Sequence, residues 1–389
     1  MIVLLVVLLW VAPATAATPR SLLATIVARV CPNTKDPLER MGEELATATA
    51  TGVTNGPTSL AAMGGALDSP ASTLGPIFLD SPRTVGRGQL TPTLLSQTFT
   101  LGQVNGRSLD PPSQDVVFDQ PPVVAARVTL DARIRQAATG LALSLGVTDD
   151  IDVSVLLPLV FTRVRATATR QITDVLGPNG KFVPVKQPTI RHSGEASGFS
   201  QGDLTVRGKY WLTDTPFDLA VTLAAQFPTG VPELLTGTGD YWIDPGLAGA
   251  WPFWNGRAEV TASLGFLIDL SKPNFSRASY GIGVNAVVIP QRLGLVVEVI
   301  GQSDLTSHFN PDDVAVLTLR SDRSLLSQPA LQLFFDRIDQ VNLSVGFRVP
   351  VAHVGPVTLL AFATALVPLN EAGLRPSGAF LTLGMSSAF

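Results

Sequence analysis

Beyond about residue 86 the chain alternates apolar and polar side chains with a period of two, the signature of strands with unlike faces. The last stretch shows it plainly. Met385, Leu383, Leu381 and Ala379 share the parity of Phe389, while Ala388, Ser386, Gly384, Thr382 and Gly378 occupy the other, with Phe380 the exception. Along 258–270 the even set (Ala258, Val260, Ala262, Leu264, Phe266, Ile268, Leu270) is apolar. Its odd set (Glu259, Thr261, Ser263, Gly265, Asp269) is polar except for Leu267. Residues 204–212 and 341–349 repeat the pattern. The periodicity predicts strands at 87–101, 127–147, 151–171, 199–212, 217–227, 241–253, 257–269, 277–289, 293–305, 339–349, 356–367 and 377–389.

The connectors between these segments alternate in length. Short ones fall at 148–150, 213–216, 254–256, 290–292 and around His353. Long ones fall at 102–126, 173–198, 228–240, 306–338 and 368–376, and 270–276 is intermediate in a slot that should be long. A barrel in the outer membrane sorts its connectors this way, with short periplasmic turns, longer outside loops and an even strand number. A sandwich has no reason to. The fold expected is therefore all-β, a transmembrane antiparallel up-and-down barrel of about twelve strands. Fourteen is the alternative, if 313–336 forms an extra hairpin turning at Ser321-Asp-Arg323.

One face of such strands meets lipid and the other a polar lumen. The inward rows carry Asp152, Asp203, Arg207, Lys209, Asp218, Glu259, Asp269, Glu298 and Arg348. Both signs are present, which argues against a strongly ion-selective pore. Mutual pairing and hydration of the lumen is the bland role for most of these charges. Tyr241, Trp251 and Phe253 share parity about ten residues apart, close to the height of a barrel's apolar band between aromatic girdles, and Phe389 is a fourth interface aromatic. One region breaks the pattern. Leu141, Leu143 and Leu145 give way upstream to Arg135, Arg133 and Asp131, and the odd residues of 151–171 change from Phe161 to Arg163 and Arg165. Either a bulge flips the phase, or these strands project above the bilayer and their arginines meet lipid phosphates.

Composition agrees with a membrane barrel. Only 15% of the 389 residues are charged, against roughly 25% in soluble domains, and mean hydropathy is +0.31. Yet after the first dozen residues no apolar run reaches the ~18–20 that a spanning helix needs. A net charge of −4 offers no basic field for nucleic acid. The single cysteine, Cys31, excludes an internal disulfide and thiolate metal clusters. His192, His308 and His353 have no metal-ligand spacing, Gly281-Ile-Gly283 lacks the rest of a nucleotide loop, and no nucleophile elbow occurs. The expectation is a non-enzyme with no cofactor, no metal and no catalytic residues.

Residues 1–17 hold an apolar run followed by small residues, which reads as a signal peptide. Residues 18–85 form an N-terminal segment. It is helical in patches from 20 to about 50 and irregular from Thr47 to Pro82, and it is expected as a plug in the lumen or as a periplasmic extension. Residues 86–389 are the barrel.

Several stretches resemble one family. Val85-Gly-Arg-Gly-Gln-Leu-Thr-Pro is similar to the first strand of the outer-membrane barrels of meta-pathway phenol degradation, related to the outer-membrane long-chain fatty-acid transporter group. Leu145-Gly-Val-Thr-Asp-Asp-Ile-Asp-Val-Ser-Val-Leu-Leu-Pro158 resembles its next hairpin. Phe227-Pro-Thr-Gly230 with Gly237-Thr-Gly239, Glu298-Val-Ile-Gly301 and Val367-Pro-Leu-Asn370-Glu-Ala-Gly-Leu-Arg375 follow in order. A terminal Phe on an alternating strand also resembles the signal read by the barrel-assembly machinery. The resemblance covers 86–389 and implies passive passage of small hydrophobic or aromatic compounds across the outer membrane of a Gram-negative bacterium. The expected surroundings are outer-membrane lipid and lipopolysaccharide, with the protein a monomer and its 173–198 and 306–338 loops as the entrance. A plugged structural or adhesive barrel whose loops bind a partner is the alternative.

Overall fold

The structure, a computed structural model, describes residues 17–30, 46, 49, 76–104, 107–108, 113–118, 123–213, 217–305, 315–319, 325–329, 339–354, 357–370, 374–376 and 380–388. The signal-peptide reading, apart from Ala17, and Phe389 therefore lie outside the described residues.

Twelve antiparallel strands close into a barrel. They are β1 (Leu90–Val104), β2 (Val124–Gly146), β3 (Ile151–Leu176), β4 (Ile190–Gln201 and Leu204–Thr213), β5 (Asp218–Phe227) and β6 (Trp242–Phe253). Then come β7 (Ala258–Asp269), β8 (Arg277–Ile289), β9 (Leu293–Asp304), β10 (Asp339–Val354), β11 (Val357–Pro368) and β12 (Phe380–Ala388). Each pairs with its sequence neighbours. Closure runs from Thr93↔Ser386 to Thr98↔Leu381 between β1 and β12, so no edge is left to recruit another chain. Leu90 and Ala388 both lie at the rim that carries the short turns.

Fourteen is not the count. The described parts of 313–336 do form a hairpin, Ala315–Leu319 with Leu325–Pro329, but it is a two-stranded sheet of its own and not part of the wall. The long connectors are also shorter than the alternation suggests. β3 runs on to Leu176 and β4 begins at Ile190, so half of 173–198 is wall, with Phe182–Pro184 pairing back onto β3. Within 102–126, Ser113–Phe118 pairs onto β2. Polar strand extensions carry no apolar alternation, which is why they read as loops.

The phase question is resolved without a bulge in β3 over 151–167; its one irregularity against β2, at Thr173, lies beyond that stretch. Even residues face inward and odd residues outward from Ile151 through Thr167, so Arg163 and Arg165 share the outer face of Phe161. These strands project past the apolar band. The extra residue sits in β4 instead. β3 pairs Leu159 with Gln201 but Leu156 with Thr205, so Gly202-Asp203 bulges. The cause is Pro158, which has no N–H for the ladder; its carbonyl accepts from the Gly202 amide at 2.7 Å.

The outer surface is a belt of exposed Leu, Val, Ile and Phe, with aromatic rings at two levels. Phe217 meets Trp251 edge-on at 5.9 Å near the short-turn rim, and Phe227 meets Tyr241 at 6.4 Å toward the long-loop rim. Phe253 is exposed beside the lower pair.

Candidate functional site: the barrel lumen

The lumen is occupied by the chain itself. Residues 76–89 carry no strand pairing, so the buried backbone amides among them must find other partners. Glu298 of β9, fully buried, supplies one oxygen set for three of them: its carboxylate accepts from the amides of Ile77 (2.9 Å), Phe78 (3.1 Å) and Leu79 (3.2 Å). A carboxylate has about four lone-pair positions, so three donors fit. Beside it the Arg348 guanidinium donates to the Pro76 carbonyl and lies 5.9 Å over the Phe362 ring. Glycines on the wall make room. A Cβ on Gly281 would sit 2.4 Å from Leu79, and one on Gly346 would sit 2.9 Å from Ile77.

Toward the short-turn rim the ties are ionic. Arg207 pairs with Asp80. Arg83 bridges Asp218 and Glu259, both at 2.9 Å. Lys209 donates to the Arg83 carbonyl (2.6 Å) and pairs with Asp152 (3.3 Å), which also accepts from the Val85 amide (2.9 Å). Gly86 then crosses so close to Gly146 that a Cβ there would lie 1.8 Å from the Gly86 carbonyl oxygen. The Gly88 amide donates to the Gly146 carbonyl at 2.8 Å and the chain enters β1.

Arg207, Lys209, Asp218, Glu259, Glu298 and Arg348 are thus gathered around one segment, together with Asp152. Two of the nine inward charges are not. Asp203 sits in the β4 bulge, where its carboxylate accepts from the amides of Gly230 and Thr238, the Thr238 hydroxyl and Gln226, all within 3.0 Å. It shapes the 228–240 connector, and Gly230 and Gly237 are needed for that approach. Asp269 accepts from the amides of Ser271 (2.8 Å) and Lys272 (2.7 Å), turning the chain into β8. Each belongs to a loop.

Around helix α1 the long-loop half of the interior is apolar. Helix α1 (Pro19–Val30) starts with Thr18 and Ser21 exchanging amide–hydroxyl bonds (2.9 and 3.1 Å) and Pro19 in its first turn. Its Leu22, Leu23 and Ile26 pack on Val128, Leu130, Ile134 and Val164 of the projecting strands, and on Leu235. Gly194 lets β4 pass Leu22.

Between segment and wall lies a cavity of about 120 Å³. Phe78, Leu79, Leu156, Trp242 and Ile300 line it with Asp80, Arg207, Gln226, Asp244 and Gln302. One Asp244 oxygen is buried there without a hydrogen-bond partner. Asp80, Arg83 and Asp244 escape the strand-by-strand reading. The available signal is that Asp80 and Arg83 follow a run, 47–79, in which Asp68 is the single charge, while the facing rows carry both signs.

No family model and no curated protein matches this chain. Solved structures of similar architecture include an outer membrane channel from Pseudomonas putida F1 (TM-score 0.47, 16% identity, covering 79% of this chain and 98% of that one). A FadL homologue from Pseudomonas aeruginosa follows at 0.38, with 10% identity over 84% and 97% of the two chains. The CymD monoaromatic hydrocarbon channel aligns at 0.32, with 9% identity over 79% and 90%. At these scores the likeness carries no functional weight.

Proposed function

We propose that this chain is an outer-membrane barrel through which small hydrophobic or aromatic compounds pass passively, with residues 76–89 as the constriction of its lumen. One observation carries the reading: a closed single-layer cylinder, apolar outside, holds a mixed apolar and polar cavity against an internal segment that is not part of the wall. The outer belt has the right height. Phe217 to Phe227 spans ten residues, roughly 33 Å along a strand and about 25 Å after tilt, which is the apolar band of an outer-membrane barrel. Tyr241, Trp251 and Phe253 are its interface anchors, and in this reading the short turns face the periplasm. Passage past the segment suits a small, largely apolar solute, because the cavity presents Phe78, Leu79, Trp242 and Ile300 alongside a few polar groups.

The test is conductance and uptake. Purified protein in planar bilayers is expected to show small, weakly selective conductance, and cells lacking it to take up aromatic compounds more slowly. No conductance with unchanged uptake counts against transport. The number of ties on 76–89 favours a second reading, a permanently plugged barrel whose loops bind a partner. Removing residues 20–80 separates the two: a full-length protein that never conducts, with a pore that opens only in the shortened form, supports the plugged barrel.

A further inference from the structure

We propose that the outward face of β2, β3 and β4, just above the upper aromatic level, is a binding site for the phosphates of outer-leaflet lipopolysaccharide. The wall itself sets the depth. Phe161 of β3 and Phe199 of β4 are register partners, both exposed on the outer face, and mark the upper edge of the apolar band there. The next outward residues along β3 are Arg163 and Arg165. Across the β2–β3 ladder, Arg135 is the direct partner of Arg163, and Arg133 of Arg165. Antiparallel partners stand about 5 Å apart, and like charges so placed oppose the pairing.

One carboxylate answers them. Glu195 of β4, opposite Arg165, contacts both Arg163 and Arg165, the latter at 2.7 Å. Asp131 lies one outward position beyond Arg133. Four arginines at headgroup depth outnumber these two acids on the outward face. A fixed anion outside the wall offsets their mutual repulsion. Planar guanidiniums in two opposed pairs suit bidentate phosphate contacts, and the outer leaflet presents phosphorylated glycolipid at that level. A soluble acidic partner would have no reason to be matched to the aromatic edge.

The inference rests on the outer-membrane placement proposed above. The experiment compares purified protein in detergent binding bis-phosphorylated lipid A and the same lipid after enzymatic dephosphorylation, read by native mass spectrometry. Wild type is expected to prefer the phosphorylated lipid by at least about ten-fold, the scale of two surface arginines on an anionic lipid. The double variant Arg135→Ala/Arg163→Ala should lose that preference yet keep the heat-modifiable gel shift of a folded barrel. Arg135→Lys/Arg163→Lys should retain part of it. Equal binding of the two lipids by wild type, or an undiminished preference in the alanine pair, overturns the site while leaving the membrane placement intact. Displacement of lipid A by millimolar inorganic phosphate would overturn the lipid as its ligand. A wild-type protein that is soluble without detergent and binds neither lipid would sink the placement itself.

Discussion

The two halves of the barrel interior are filled by the same N-terminal stretch and held by opposite physics. Near the short-turn rim, residues 76–89 are tied by directional bonds to Glu298, Arg348, Arg207, Lys209, Asp218, Glu259 and Asp152. Near the long-loop rim, Leu22, Leu23 and Ile26 of α1 share one buried apolar cluster with Val128, Leu130, Ile134 and Val164. Directional ties fix a segment in one register and fail in steps when a partner is lost. Apolar packing tolerates sliding and scales with area. The constriction is therefore specified by charge, and the outer filling by shape.

Glu298→Ala should break this contrast hardest. It leaves three amides and the Arg348 charge buried together, which costs on the order of 3–5 kcal/mol. Urea unfolding in detergent micelles would measure the loss, and single-channel recording should show larger openings as 76–89 lets go. Next, Leu23→Ala should destabilise by about 2–4 kcal/mol through lost packing. Because it acts on the other half, conductance should stay near wild type; an equal rise in both variants would erase the distinction between halves. Arg83→Ala ranks third. Its side chain is 35% exposed, so about 1–2 kcal/mol is expected from the two freed carboxylates, with a conductance rise smaller than that of Glu298→Ala. Raising salt to 1 M should have the least effect, since buried pairs are weakly screened. The small loss it causes should appear in the wild type and shrink in Arg83→Ala, which already lacks the most exposed ties.

Some of the lumen was legible before the fold was known. The parity of Glu259, Glu298 and Arg348 marks them as inward, because a strand's side-chain direction follows from position alone. That Asp203 turns to its own loop was not legible. It needs a bulge opposite Pro158, and the pairing of β3 with β4 reveals it, whereas neither strand's pattern does. The strand extensions at 173–176 and 190–198 were read as connectors for a related reason. Beyond the apolar band neither face needs to be apolar on the outside, so the period of two fades while the hydrogen-bond ladder continues.

Twelve segments, their inner and outer faces and the inequality of their connectors are local properties, carried within ten or so residues each, and the sequence by itself determined them. The occupant of the lumen was decided by tertiary structure. Glu298 meets the amide of Ile77 across 221 residues of chain, and nothing in the run 47–79 has a period that points at a partner. A strand announces its faces through its own repeat. An irregular segment has no repeat, and only the closed wall around it selects where its amides and charges must go.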